Sequence, residues 1–110
     1  MKQVMVRYKV KPERVEENEA LVRAVYEELR DVAPPGFRYA TFKLDDGVTF
    51  MHLAITEAET EEDGRVLPKL QAFQAFRKDL GDRVEEGPVS TELDPIGAFR
   101  LAGDAPAMTT

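Results

Sequence analysis

The chain has no cysteine and no tryptophan, and His52 is its single histidine. Without thiols there is no disulfide framework, no thiolate nucleophile and no sulfur donor for a metal. One imidazole supplies too few good ligands for zinc or iron, so neither a metal nor a cofactor is expected. Basic residues are outnumbered, 15 Lys and Arg against 21 Asp and Glu, for a net charge of −6. That balance argues against nucleic acid and anionic membranes as partners. No apolar run is long enough to span a bilayer, and the N-terminus lacks the apolar segment of a signal peptide, so the expectation is a cytoplasmic protein. Ser90 is the sole serine and has no histidine near it in sequence, which leaves nucleophilic catalysis weakly supported. The acidic run from Glu57 to Asp63 lacks the alternating oxygen ligands and central glycine of a calcium loop and reads as a solvated loop.

What is present suits one small domain. Of 110 residues, 43% are hydrophobic, enough for a single core. The expected domain is 1–102, followed by a flexible tail, 103–110. Val4, Val6, Tyr8 and Val10 alternate with Met5, Arg7 and Lys9, the period of a half-buried strand. Lys11-Pro12 ends it, and proline suits the first turn of the helix that follows. Val15, Val22, Val25, Leu29 and Val32 recur at helical spacing, and Pro34-Pro35-Gly36 stops the run. Asn18 falls inside that apolar stripe. A second helix is expected over Val66–Leu80, with Pro68 in its first turn and Gly81 as its C-cap. A strand over Val84–Leu93, broken by Gly87-Pro88, suits a sheet edge, and Ile96–Leu101 is expected as a short fifth strand.

Between the helices lies a hairpin, Pro34 to Thr56, whose two apolar-rich runs flank Asp45-Asp46-Gly47. With Asp46 and Gly47 as the two turn residues, Lys43 faces Phe50, Thr41 faces His52 and Tyr39 faces Ala54. A three-residue turn with Gly47 left-handed is the competing register. In either, His52 shares a side with Phe50 and Ala54, opposite Met51, Leu53 and Ile55. A strand apolar on both sides is a central strand covered on both faces.

The order is therefore βαββαβ, an α+β, ferredoxin-like sandwich with one antiparallel sheet and both helices on one face. The helix-free face carries a large apolar patch. Such patches mark interfaces, so a homodimer closed by a two-fold axis through the two sheets is expected.

Three stretches carry a family resemblance: Val-Arg-Tyr-Lys-Val-Lys-Pro running into an acidic helix, the Pro-Gly-Phe-Arg-Tyr-Ala-Thr-Phe-Lys-Leu-Asp-Asp-Gly-Val-Thr-Phe-Met-His-Leu hairpin, and Leu-Pro-Lys-Leu-Gln-Ala-Phe-Gln-Ala-Phe-Arg. From Met1 to about Leu101 the chain resembles the antibiotic-biosynthesis-monooxygenase-like (ABM) group of the dimeric α+β-barrel superfamily. The resemblance implies a dimer whose sheets form a barrel, with a small-molecule cavity between each sheet and its helices. It also implies a monooxygenase that needs no cofactor and acts on a small aromatic or quinol-type molecule. The haem-degrading branch uses an Asn, a Trp and a His that this chain does not reproduce, which argues against haem degradation.

Such an oxygenase requires a base working near neutrality, donors for an oxyanion and a dry pocket. His52 is the candidate base because imidazole alone has an ordinary pKa in that range. Tyr26, Tyr39 and Arg38 are candidate donors to the substrate, joined by Tyr8, and Asn18 is a candidate ligand from the helix above. The alternative is a non-catalytic dimeric small-molecule-binding or accessory protein, with His52 a packed strand residue and Asn18 a boundary residue.

Overall fold

The computed structural model describes residues 2–57 and 65–99. Strand β1 (Lys2–Val10) leads through a 3-10 turn (Pro12–Arg14) into helix α1 (Val15–Val32). Strands β2 (Phe37–Lys43) and β3 (Thr49–Thr56) form the hairpin. A second 3-10 turn (Leu67–Lys69), helix α2 (Gln71–Lys78), a single helical turn α3 (Leu80–Arg83) and strand β4 (Val84–Glu92) complete the described chain. The four strands form one antiparallel sheet in the order β2-β3-β1-β4. This is the expected ferredoxin-like α+β arrangement, with β1 and β3 central.

The hairpin adopts the register with Lys43 opposite Phe50, Thr41 opposite His52 and Tyr39 opposite Ala54. Its turn borrows from both expected forms. Gly47 donates to the Leu44 carbonyl at 3.0 Å and takes φ 78°, a left-handed geometry that glycine adopts without strain. The Asp46 carboxylate accepts from the amides of Val48 and Thr49, both at 2.9 Å, and from the Thr49 hydroxyl. Those three bonds hold its pKa down near about 2. They satisfy strand-end donors, so the loop closes without slipping the register.

Helix α1 ends at Ala33, which turns left-handed at φ 45° and donates to the Leu29 carbonyl at 2.7 Å. Pro34 then blocks continuation. The expected single helix over Val66–Leu80 is instead three pieces. Leu70 is extended (ψ 133°) and buried, which breaks the chain between the Pro68 turn and α2. Gln71 and Ala72, at the start of α2, donate to the Glu28 carboxylate of α1 at 3.2 and 2.8 Å, a cap from the neighbouring helix. Gly81 is not the cap, because a further turn, α3, runs on to Arg83. No strand forms over 96–99, where Ile96 and Phe99 are exposed. Arg100 and Leu101, the tail and the acidic run from Ala58 onward lie outside the described residues.

Strand alternation sorts the sheet into two faces. Toward the helices, Tyr8, Val10 and Phe50 meet Val22 and Val25 of α1, Leu70, and Phe76 of α2. Tyr8 lies flat on Phe50, ring centroids 5.6 Å apart, and tilts against Phe76 at 6.1 Å. On the other face Met5 pairs with Leu53, Phe42 with Met51, and Ala40 with Leu53, with Val89 beside Arg7. No described helix covers that face, and Phe42 and Val89 are exposed.

Candidate functional site

On the helix side, His52 projects from the middle of β3 and is 5% exposed. Its central position puts one strand on each flank, and each supplies a partner. From β1, the Tyr8 hydroxyl lies 2.7 Å from Nε2. From β2, the Tyr39 hydroxyl lies 2.7 Å and the Thr41 hydroxyl 3.1 Å from Nδ1. Both ring nitrogens are therefore engaged. The imidazole also packs between the rings of Tyr8, Tyr39 and Phe76, with centroids 5.3, 5.7 and 5.6 Å away.

The cluster extends in both directions. Beyond Tyr8, Asn18 of α1 donates its amide to the tyrosine hydroxyl at 3.0 Å and accepts at 3.0 Å from Nε of Arg83. Asn18 and Arg83 are fully buried. Arg83 also donates to the Phe76 carbonyl at 2.8 Å and rests over the Phe76 ring at 5.1 Å. Its Nη1 has no partner among the described residues. Beyond Thr41, the Tyr26 hydroxyl sits 2.8 Å from the threonine oxygen. One hydrogen-bonded chain thus runs from Arg83 through Asn18, Tyr8, His52 and Thr41 to Tyr26, with Tyr39 alongside.

Burial sets the charge states. It pushes the His52 pKa down to about 4, so the ring is neutral at pH 7. It pushes the Tyr8 hydroxyl up to about 12, against the opposing pull of the Asn18 bond. Tyr39 is raised by burial and, to a smaller degree, by Tyr26 and Tyr8; Tyr26 is raised by burial against its Thr41 bond. The Arg83 guanidinium is pulled down by burial, with Glu17 opposing, yet guanidinium starts so high that it stays charged.

The far end of the chain meets a groove between α1 and β2. One depression of about 260 Å³ is lined by Val22, Tyr26, Thr41, Lys43 and Phe50 among others. A second, of about 210 Å³, is lined by Tyr26, Leu29, Ala33, Phe37 and Tyr39 among others. Tyr26 divides them, and its ring stacks on Tyr39 with centroids 5.4 Å apart. Of the lining residues, Thr41 and Tyr39 hydrogen-bond His52, and His52 lines neither depression. Groove contents would meet Tyr26, Tyr39 and Thr41, with the imidazole bonded behind the last two.

The sequence-based candidates divide accordingly. His52, Tyr39 and Tyr26 come together. Asn18 joins them through Tyr8 but is sealed from the groove. Arg38 does not join: alternation turns it to the opposite face, opposite Ile55, where it pairs with Glu57. Thr41 and Arg83 were missed as site residues. Thr41 was already opposite His52 in the expected register. Arg83, in a charged stretch after Gly81, carried no sequence signal of burial.

An antiparallel four-stranded sheet with helices on one face, and a polar cluster between sheet and helices, is a ferredoxin-like α+β fold. No family model matches the chain, and neither does any curated protein. Solved structures match the fold. An antibiotic biosynthesis monooxygenase candidate from Nitrosomonas europaea is 19% identical over 88% of this chain and 100% of its own, with a TM-score of 0.71. The Rv0793 protein of Mycobacterium tuberculosis is 18% identical over 88% of this chain and 96% of its own, at 0.70. A candidate of the same description from Caulobacter crescentus is 20% identical over 87% and 90%, at 0.63. The similarity covers most of each chain and establishes the shared fold.

Proposed function

We propose that the chain is a monooxygenase-like protein that takes a small hydroxyaromatic, such as a quinol, into the groove between α1 and β2 without a cofactor. The observation that carries this reading is the convergence of the Tyr26, Tyr39 and Thr41 hydroxyls at the groove, backed by a neutral, dry imidazole. Aromatic walls from Phe37 and Tyr26 suit a flat ring, and the hydroxyls suit its oxygen. A quinol held as its anion reduces O2 directly. One oxygen atom joins a ring carbon in place of hydrogen and the other leaves as water, while the quinol is oxidised to a hydroxyquinone and so supplies all the electrons. The protein's contribution is to stabilise the anion. His52 acts here through Tyr39 and Thr41 rather than as a base touching substrate, because both its nitrogens are occupied and protonating it is unfavourable.

The deciding experiment is oxygen uptake with a panel of hydroquinones by the wild-type chain, Tyr39→Phe and His52→Ala. Uptake that falls at least tenfold in both variants is expected. No uptake with any substrate, together with ligand binding in the groove, would favour the non-catalytic binding protein, a reading supported by the shallowness of both depressions. The same reading has a second copy of the chain covering the open sheet face, where Phe42 and Val89 stand exposed.

A further inference from the structure

Hydrogen-bond direction along the buried chain is determined by its one member that cannot accept. Arg83 carries only donors, so the Asn18 atom 3.0 Å from its Nε is the amide oxygen. The Asn18 nitrogen therefore faces Tyr8, and the bond to the tyrosine oxygen, also 3.0 Å, is donated by the amide. With its oxygen accepting from Asn18, Tyr8 has its own hydrogen left for the neighbour 2.7 Å away, His52 Nε2. An imidazole nitrogen that accepts carries no proton. In the neutral ring the proton then sits on Nδ1, which faces Tyr39 at 2.7 Å and Thr41 at 3.1 Å.

We infer that Arg83, acting through Asn18 and Tyr8, holds His52 as the Nδ1–H tautomer, so that the donors from Arg83 to His52 all point toward the groove and the groove takes an oxyanion or carbonyl oxygen of its aromatic ligand. The ligand half of this rests on the function proposed above; the tautomer half does not. Protonating Nε2 would set its N–H against the Tyr8 hydroxyl hydrogen, and the opposite side of that oxygen is already held by Asn18. The chain is thus built to donate, with a buried positive charge behind it. Nδ1–H bonds the Tyr39 oxygen and leaves the Tyr39 hydrogen for a ligand. Arg83, Asn18 and Tyr8 are positioning residues in this scheme, since none of them lines the groove depressions.

Because His52 is the only histidine, 15N-histidine labelling of the full chain gives one unambiguous pair of ring signals. The wild-type protein at pH 7 is expected to show a protonated Nδ1 and an unprotonated Nε2. Asn18→Asp keeps the side-chain shape but replaces the amide donor with an acceptor. Tyr8 then donates to that carboxylate, and Nε2 is expected to become protonated. Tyr8→Phe, a second and milder change, is expected to produce a mixture of tautomers. An Nε2–H wild type, or an unchanged tautomer in both variants, overturns the inference. A ligand arm uses 2-hydroxy-1,4-naphthoquinone, an anion at neutral pH, against the uncharged 1,4-dimethoxynaphthalene. At least tenfold tighter binding of the anion, with a shift of the His52 signals, is expected. Equal affinity overturns the ligand half. Absence of both, with the Nδ1–H tautomer intact, counts against the groove function and leaves the polarity standing.

Discussion

Tyr8 touches His52 twice: its hydroxyl lies 2.7 Å from Nε2, and its ring stacks on the imidazole at 5.3 Å. One side chain therefore gives the histidine both a polar and an apolar contact. Tyr8→Phe keeps the ring and removes the oxygen. It strands Nε2 and the Asn18 amide in a buried setting, so it is expected to cost about 2–3 kcal/mol in urea unfolding. Tyr26→Phe removes a hydroxyl from a half-buried position whose partner can reach water, and is expected to cost about 1 kcal/mol or less. Equal costs would mean that the inner bonds are not tighter constraints than the outer one.

Histidine titration has a definite sign. The folded pKa of about 4 lies below the ordinary value near about 6.5. The unfolded chain therefore binds the proton more readily than the native one across that interval. Stability attributable to His52 is complete above about pH 6.5, falls as pH drops toward 4, and is lost below that by about 3 kcal/mol. The His52 ring signals should titrate with a midpoint near about 4. His52→Gln should flatten the loss of stability between about pH 6.5 and 4 relative to wild type. A midpoint near 6.5 would mean that the ring is solvated.

Much of this site is readable in the sequence alone. Period-two alternation and Asp46-Gly47 were enough for the pairing of Tyr39, Thr41 and His52, because a one-residue slip would have mixed the faces. Asn18 among valines and Tyr8 among inward-facing residues were both polar groups in apolar positions, and both proved to be links in the chain. Arg83 was illegible for a physical reason. Its burial arises from tertiary contacts of its own side chain with Asn18 of α1 and Phe76 of α2, and a four-residue helical turn has too little periodicity to reveal an inward face. The break at Leu70 was hidden likewise, since its extended backbone is stabilised by burying a leucine and by a cap from Glu28 on another helix.

Backbone geometry at two glycines gives opposite expectations. At Gly87, φ is 84° and an added Cβ would stand 2.8 Å from the Arg7 carbonyl oxygen, a backbone atom that cannot swing away. Gly87→Ala should lower stability by about 2 kcal/mol or more. At Gly81, inside α3, a Cβ meets nothing within 4 Å. Gly81→Ala should be neutral or stabilise by about 0.5–1 kcal/mol, since alanine loses less backbone freedom in a helix. Urea midpoints of the two variants provide the check.

The open sheet face poses the last question, since Phe42 and Val89 are 51% and 61% exposed beside Met51, Leu53 and Met5. A single chain leaves these residues in water at a cost of about 25 cal/mol for each Å² of apolar surface. Pairing two such faces removes that cost from both copies at once, and Arg7, Lys9 and Glu86 around the neighbouring depression of about 400 Å³ offer charges of both signs at its rim. Sedimentation equilibrium should give twice the chain mass at micromolar concentration. Leu53→Lys, at the centre of the face, should shift the chain to a monomer by burying an unpaired ammonium in the interface, while exposed Lys78→Ala on α2 should not. A wild-type chain that sediments singly with that face wet would remove the basis for the barrel.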